Sequence, residues 1–523
     1  MDVLIPPDIP IAEIEWRILD NTAVSTSPLN GVTTTFTRPG TRWGARLSFR
    51  NLKDRDRARL LAILASVRGR SGRVYFTSAA DPARTGGYSF PELFTNADFS
   101  NGVTGWSTTL ASLTVRDRVS RLTVSAPGSN PQLYQPGIPV TQYAPHALRS
   151  MILAGRGLDS VAVGPATSDA VGQDTAYLTT RGLVTVPRVM LSATSQSYPV
   201  VVAAANGYEA GHYVSVPFTS LARCALVDNG GNYMVQSDAA QTTWSATNLT
   251  VSANAHTDPN GTSTADGLTE DSSTGFHYLQ QSYTRTSVAE DWCAYAEVAT
   301  IASSRNVALD LADGAGNGAS CVFDLTAGTA GTPSVTGTAT NARAFIVNVG
   351  NGYRRSYLVA RLPASTTARM QVLLANGSTL SYAGNGSGRI SVWRMGAHRT
   401  GVPSRTTATA GTVTPPASQT GSGLYLKGLP ASTQNIRAAG DMVEIILPTG
   451  SQLVRLTAAL DSDAAGLGYL QFENPVRVSP ADNAAVIFNQ PMMRGILTEG
   501  PAWPTRPGLF SDFDIDLIED IAP

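Results

Sequence analysis

Short runs in which apolar and polar residues alternate recur along nearly the whole chain, broken by Gly, Pro, Asn and Asp. Near the start they read "IAEIEWRIL", "GVTTTFTRP", "RWGARLSFR" and "GRVYFTS". A period of two with turn residues between runs predicts short, half-buried strands. One stretch departs from it. In "LKDRDRARLLAILASVRGRSG", Leu60, Leu61, Leu64 and Val67 recur at helical spacing, Ile63 lies beside them and Gly69 follows as a stop. This predicts a helix over about 52–68 whose other face carries Arg55, Arg57, Arg59 and Arg68. A basic helix face is ordinarily solvated, and it also suits an interface.

The pattern divides the chain. Residues 1–88 form a strand-rich unit with that helix. From 89 the composition turns to Gly, Ser and Thr, and a first β-sandwich module is expected over 89–223. A second module follows over 224–398, where strands such as "DWCAYAEVA", "RNVALDLAD" and "ASCVFDLTAG" recur about every ten residues. The Thr/Pro/Gly-rich stretch 399–422 lacks periodicity and reads as a linker. A last strand series fills 423–523 and ends on "FSDFDIDLIEDI". There Phe510, Phe513, Ile515 and Leu517 alternate with Asp512, Asp514 and Asp516, a strand with one buried and one acidic face. The two middle modules echo each other: Asp98 and Trp106 correspond loosely to Asp238 and Trp244. Trp244 reads as a ring capping one end of its sandwich. The fold class expected is mainly β, with an N/C-terminal unit split by two inserted sandwiches. The halves of a parent domain split in this way should pack together, because insertions succeed at exposed loop tips.

The segment from "SDAAQTTWS" through "PNGTSTADGLTED" and "GNGYRRSY" to "GNGSGRISVW" resembles a jelly-roll module of phage tail and fibre proteins, itself similar to carbohydrate-binding modules. The flanks, "STSPLNGVTTTFTRPGTRWGARLSFRNLKDRDRARLLAILASVRGRSGRVYF" and "AAGDMVEIILPTGSQLVRLTAALDSDAAGLGYLQFENPVR", resemble siphophage distal-tail proteins. That resemblance implies a virion tail-tip protein synthesised in a bacterial cytoplasm. It also implies a ring of six copies contacting tail tube and tail hub proteins, with the inserted modules presented to host surface glycan. A trimeric tail fibre is the alternative, although no heptads or β-helix repeats support it.

Composition narrows the chemistry. Charged residues make up 15% of the chain and the net charge is -1, so no global field draws it to nucleic acid or lipid. Lys53 and Lys427 are the two lysines among 38 basic residues, so the positive charge is almost all arginine. No apolar run reaches the length of a membrane span, and the N-terminus lacks the look of a secretory signal. Cys224, Cys293 and Cys321 are widely spaced and suggest free buried thiols, with no metal-ligand spacing. No cofactor is implied. No catalytic motif is present, and His146, His212, His256, His277 and His398 are scattered. Glu270, Asp271, Asp310 and Asp313 are the acids a glycan hydrolase would need to draw on, yet acids at turns are ordinary. Sugars bind through aromatic faces and forked polar groups, which nominates His277, Tyr278, Tyr353, Arg354 and Tyr357. The competing reading is that these residues simply alternate in and out of the core. For contacts between copies, Arg55 and Arg59 on the helix and Asp512, Asp514 and Asp516 on the last strand are complementary in charge.

Overall fold

A computed structural model of the chain describes residues 2–6, 8–19, 23–26, 33–36, 41–67, 69–77, 88–116, 119–125, 132–141, 144–154, 161–163, 170–172, 176–178, 182–190, 196–203, 209–229, 232–236, 238–301, 305–399, 402, 418–463, 465–499 and 510–520. Among these the chain is built of strands, with one α-helix, Asp54–Val67. The helix starts after the strand Arg42–Lys53, with Asp54 and Asp56 in its first turn against the positive end of the helix dipole. Leu60, Leu64 and Val67 are buried with Trp43, Leu47, Phe49 and Phe513. Gly69, at φ 66°, takes the left-handed conformation that ends the helix.

Both ends of the chain share one six-stranded sheet. Its order is Asp2–Leu4, Arg73–Thr77, Met492–Leu497, Phe510–Glu519, Arg42–Lys53 and Glu13–Leu19. Phe49 and Phe513 stack across it at 5.2 Å. A second six-stranded sheet runs Gly450–Arg455, Met442–Leu447, Ala485–Ile487, Ala225–Val227, Gly421–Lys427 and Gly468–Val476. Two expectations are corrected here. Residues 423–523 do not make one unit, because the last two strands leave for the terminal sheet. Ala225–Val227, expected to open the second module, pairs instead with Ala485–Ile487 and Gly421–Lys427. Of the expected linker, 400, 401 and 403–417 lie outside the described residues.

Between these sheets lie two β-sandwiches of jelly-roll type whose strands correspond in order, except that the edge strand Ala170–Gly172 precedes Ala176–Leu178 in the chain while Thr340–Gly350 follows Gly318–Asp324. In the first, one sheet runs Ala176–Leu178, Val161–Val163, Gln196–Ala203, Gln132–Ile138, Ser107–Thr109. The sheet facing it runs Ala170–Gly172, Gly182–Met190, Pro145–Ala154, Tyr213–Arg223, Val119–Val124, Ala111–Arg116. In the second sandwich the corresponding main path is Gly318–Asp324, Asn306–Asp313, Thr367–Ala375, Thr274–Thr284, Ser245–Thr247. Its partner sheet runs Thr340–Gly350, Tyr353–Leu362, Glu290–Thr300, Arg389–His398, Ala265–Glu270, Leu249–His256.

The duplication extends to single hydrogen bonds. Trp106 Nε1 donates to the Asn96 carbonyl at 3.0 Å, and Trp244 Nε1 to that of Gln236 at 3.2 Å. Asn96 and Gln236 both have positive φ, 59° and 50°. A buried glutamine clamps the residue before each. Gln135 accepts from the Thr95 N–H and donates to its carbonyl, at 2.7 and 2.8 Å. Gln281 does the same to Val235, at 2.6 and 3.0 Å. Three residues earlier, Glu92 Oε1 accepts the N–H groups of Phe94 and Leu221, and Asn232 Oδ1 those of Met234 and Ala397. Each glutamine satisfies a donor and an acceptor that the sheet ladder leaves over. Gln281→Ala is expected to cost about 1–3 kcal/mol, the penalty for stranding such groups. Denaturant unfolding against the unmodified chain checks it.

The units are docked against one another. Tyr295, Tyr357 and Phe345 of the second sandwich share an apolar cluster with Ala147 and Val189 of the first and with Leu226, Ala485 and Ile487 of the C-terminal sheet. Leu4, Tyr75 and Met492 of the terminal sheet pack with Met151 and Phe218 of the first sandwich.

Candidate functional site

The open face of the second sandwich belongs to the strands Ser245–Thr247, Thr274–Thr284, Thr367–Ala375, Asn306–Asp313 and Gly318–Asp324. Their inward positions, including Leu279, Leu309, Met370 and Val372, fill the core. The alternate positions therefore point outward. Register places them in rows across the strands. One row is Thr247, Tyr278, Leu373, Ala308 and Val322, in which Leu373 and Ala308 are themselves buried. The next is Ser245, Gln280, Gln371, Asp310 and Ser320. Neighbouring strands stand about 4.8 Å apart and successive rows about 7 Å, so the second row is a line of polar groups beside an apolar one.

The polar row is pre-arranged. Gln371 Nε2 donates to Gln280 Oε1 at 2.6 Å. Arg369, one row further, donates to Asp310 Oδ2 at 3.3 Å. Burial raises the carboxyl pKa of Asp310 above the ordinary value, and the Arg369 guanidinium pulls the other way. Asp310 keeps 20% side-chain exposure and Arg369 39%, so both remain reachable from solvent. Phe276, two residues before Tyr278 on the same face, is 48% exposed. The face thus offers two aromatic rings along one strand and, beside them, amide, carboxylate and guanidinium groups. Asp310 and Arg369 cancel in charge. Such a surface suits an uncharged, hydroxyl-rich ligand with an apolar side.

Of the nominated sugar contacts, Tyr278 alone lies on this face. His277 points inward and is fully buried, its Nδ1 2.7 Å from the Asn248 carbonyl and its ring 4.8 Å from that of Tyr382. Tyr353 is buried, with its hydroxyl 2.5 Å from Ser391 Oγ. Tyr357 is buried between units and stacks on Phe345 at 4.4 Å. Arg354 holds the Leu325 and Thr326 carbonyls, bracing a turn. These four correct the expectation: His277 faces the core, and Tyr353, Arg354 and Tyr357, all on the strand Tyr353–Leu362 of the partner sheet, are taken up by packing and by a turn. Gln280, Gln371, Arg369 and Phe276 were missed. The signal available was the alternation of "FHYLQQS", in which Phe276, Tyr278 and Gln280 share one face.

The complementary charges nominated for contacts between copies are largely engaged within the chain. Asp514 accepts from Arg46 at 2.6 Å and from Arg50 at 2.8 Å, and Asp516 pairs with Arg17 at 3.1 Å. Those hydrogen bonds hold the Asp514 carboxyl down at about 2. Asp512 accepts the Asn51 N–H, and Arg59 pairs with Asp8 at 2.7 Å. Arg55 stands exposed on the helix.

The other acids have structural partners. Glu270 accepts two hydrogen bonds from Arg305, one from the Tyr382 hydroxyl and one from the Asn385 N–H. Burial raises its pKa, and these donors outweigh burial and bring it down to about 2. Asp271 accepts the Ser273 N–H at 2.9 Å, and Asp313 accepts those of Ala315 and Asn317. Cys224, Cys293 and Cys321 are free and buried. Among the described residues no group of three His, Cys, Asp or Glu side chains is placed to hold a metal. No helix among them is long and apolar enough to cross a membrane.

No protein-family model and no curated protein matches the chain. Among solved structures it is similar to the enzymatically active domain of tailspike protein 4 of bacteriophage CBA120, at 14% identity and TM-score 0.21 over 32% of this chain. That match spans 21% of the tailspike chain. It is also similar to the tandem CBM22 domain of Paenibacillus barcinonensis Xyn10C, at 11% identity and TM-score 0.20, covering 60% of this chain and 100% of that one. A triple jelly-roll turret protein of an archaeal virus matches at 10% identity and TM-score 0.17, over 84% of this chain and 97% of that one. At these TM-scores none assigns a family or a ligand to this chain.

Proposed function

We propose that the chain is a structural component of a bacteriophage tail tip that binds host surface glycan without turning it over. The observation that carries the binding is the open face of the second sandwich, where Phe276 and Tyr278 lead along one strand to the row Gln280, Gln371 and Asp310. Its balanced charge favours an uncharged saccharide. A shallow face buries little area, so a single site binds weakly, and several copies on one particle compensate by avidity. The tail-tip placement rests on the sequence resemblance of both flanks. It is supported by the way strands from the two ends of the chain close one sheet around the helix. The ring of six, and its contacts with tube and hub proteins, belong to the same proposal.

The test uses the full chain, because a fragment starting at 224 would carry Ala225–Val227 away from its own sheet. Immobilised neutral hexose and N-acetylhexosamine oligosaccharides are the probe. Tyr278→Ala is expected to weaken binding about tenfold, the roughly 1.4 kcal/mol of one aromatic platform. Gln371→Ala should weaken it less. Retention of full affinity by both variants overturns the assignment. Release of shorter saccharides from the probe would overturn binding without turnover, and electron microscopy that shows no closed ring of the purified chain or on tail tips would overturn the ring.

A further inference from the structure

The shared strand order gives the strands Ser107–Thr109 and Gln132–Ile138 of the first sandwich the places that Ser245–Thr247 and Thr274–Thr284 hold in the second. Trp106 and Trp244 are equivalent through their hydrogen bonds, and so are Gln135 and Gln281. Counting from these anchors, Ser107 and Thr109 take the places of Ser245 and Thr247. Likewise "QLYQ" at 132–135 takes the place of "YLQQ" at 278–281. The inward residues are identical: Leu133 and Leu279 are core, and both glutamines clamp the backbone. The outward residues are exchanged. Gln132 stands where Tyr278 stands, and Tyr134 where Gln280 stands.

The correspondence continues across the sheet. Thr109, Gln132, Val202, Ala162 and Tyr177 are successive Cα partners, matching Thr247, Tyr278, Leu373, Ala308 and Val322. In the other row Tyr134 faces Ser107 on one side and, after a register shift between Leu133 and Tyr134 that the second sandwich lacks, Pro199 on the next. Gln132 and Tyr134 are both half-buried.

We infer that the first sandwich carries a second saccharide-binding face, with Tyr134 as its aromatic platform and Gln132 as its forked polar contact. This rests on the glycan-binding reading of the second sandwich. Exchange of Tyr and Gln moves the ring by one row, about 7 Å along the strand, and puts the amide on its other side. The two faces therefore meet a saccharide with opposite polarity along the strand. One chain is bivalent toward a repeating glycan, which raises its avidity without a new fold.

Equilibrium dialysis of the full chain against one short uncharged oligosaccharide, selected as the best binder among immobilised probes, tests this. Two molecules bound per chain are expected at saturation. Tyr134→Ala and Tyr278→Ala should each leave one site at its original affinity and weaken the other about tenfold, and the double variant should weaken both. Tyr134→Phe, which keeps the ring, should keep both at their original affinity, and circular dichroism confirms that each variant folds. One molecule bound by the unmodified chain and weakened by Tyr278→Ala alone overturns the second face and leaves the first reading standing. Two bound molecules indifferent to Tyr134→Ala overturn it equally. No binding by the unmodified chain overturns both.

Discussion

Arg149→Ala is expected to lower stability by about 3–5 kcal/mol, the cost of leaving a buried carboxylate without its partner. Arg149 lies on the strand Pro145–Ala154 of the first sandwich, and Glu444 lies on Met442–Leu447 of the C-terminal sheet. Arg149 Nη2 donates to Glu444 Oε2 at 2.7 Å, with side chains 2% and 0% exposed. The same oxygen accepts the Met492 N–H at 2.8 Å, and Arg149 Nη1 donates to the Gln490 carbonyl at 3.0 Å. One guanidinium therefore ties the first sandwich to the C-terminal sheet and to the segment leading back into the terminal sheet. Its loss should weaken docking as well as stability, so a single thermal transition is expected to split or broaden. The double variant Arg149→Met, Glu444→Leu separates the pair from its neighbours. Two apolar residues of similar volume leave no charge buried, and the double variant should recover most of the loss. Calorimetry of the three chains checks this. A single-variant loss below about 1 kcal/mol would contradict the burial of the pair.

This docking also shows where sequence reading reaches its limit. Strand spacing of about ten residues in the second module, the helical spacing of Leu60, Leu64 and Val67, and the paired Trp106 and Trp244 were legible because each is a local pattern. What covers a strand is not local. In Tyr353–Leu362 nearly every residue is buried, because one face lines the sandwich core and on the other Tyr353 packs with Trp393 while Tyr357 and Val359 lie at the contact with the first sandwich and the C-terminal sheet. Alternation names two faces there without saying that both are closed, so Tyr353 and Tyr357 read as site candidates. In Thr274–Thr284 one face stays open, and the same reasoning takes in Tyr278 on that face together with His277, which faces the core. The charge of the last strand misled for a related reason. Asp514 and Asp516 find Arg46, Arg50 and Arg17 from strands more than 460 residues away in sequence. Long-range register decides that pairing, and no local pattern reveals it.

Glu519→Gln should reshape the pH dependence of stability by about 3 kcal/mol. Glu519 is fully buried where the terminal sheet meets Gly450–Arg455. Its two oxygens accept the N–H groups of Trp43 at 3.1 Å and Leu453 at 2.9 Å. Burial pushes its pKa from 4.5 up to about 7, against those two N–H groups and the more distant charges of Arg477 and Arg42. The folded state thus holds this proton more tightly than the unfolded chain. The resulting stability is fully present below about pH 4.5 and is lost as pH rises through about 7. Each pKa unit is worth about 1.4 kcal/mol, which sets the size. His146 works in the opposite sense. Burial brings its pKa from 6.5 down to about 4, and its Nε2 accepts the Thr141 N–H, as a neutral ring can. Its contribution is present above about pH 6.5 and is lost as pH falls toward 4. The two slopes nearly cancel between pH 4.5 and 6.5 in the unmodified chain. Glu519→Gln removes one of them, so the variant should gain stability with rising pH across that window relative to the unmodified chain. Denaturant unfolding of both at pH 5, 6 and 7.5 reads the difference, in which every other titrating group cancels. Parallel profiles would mean that Glu519 titrates in the folded chain as an ordinary carboxylate.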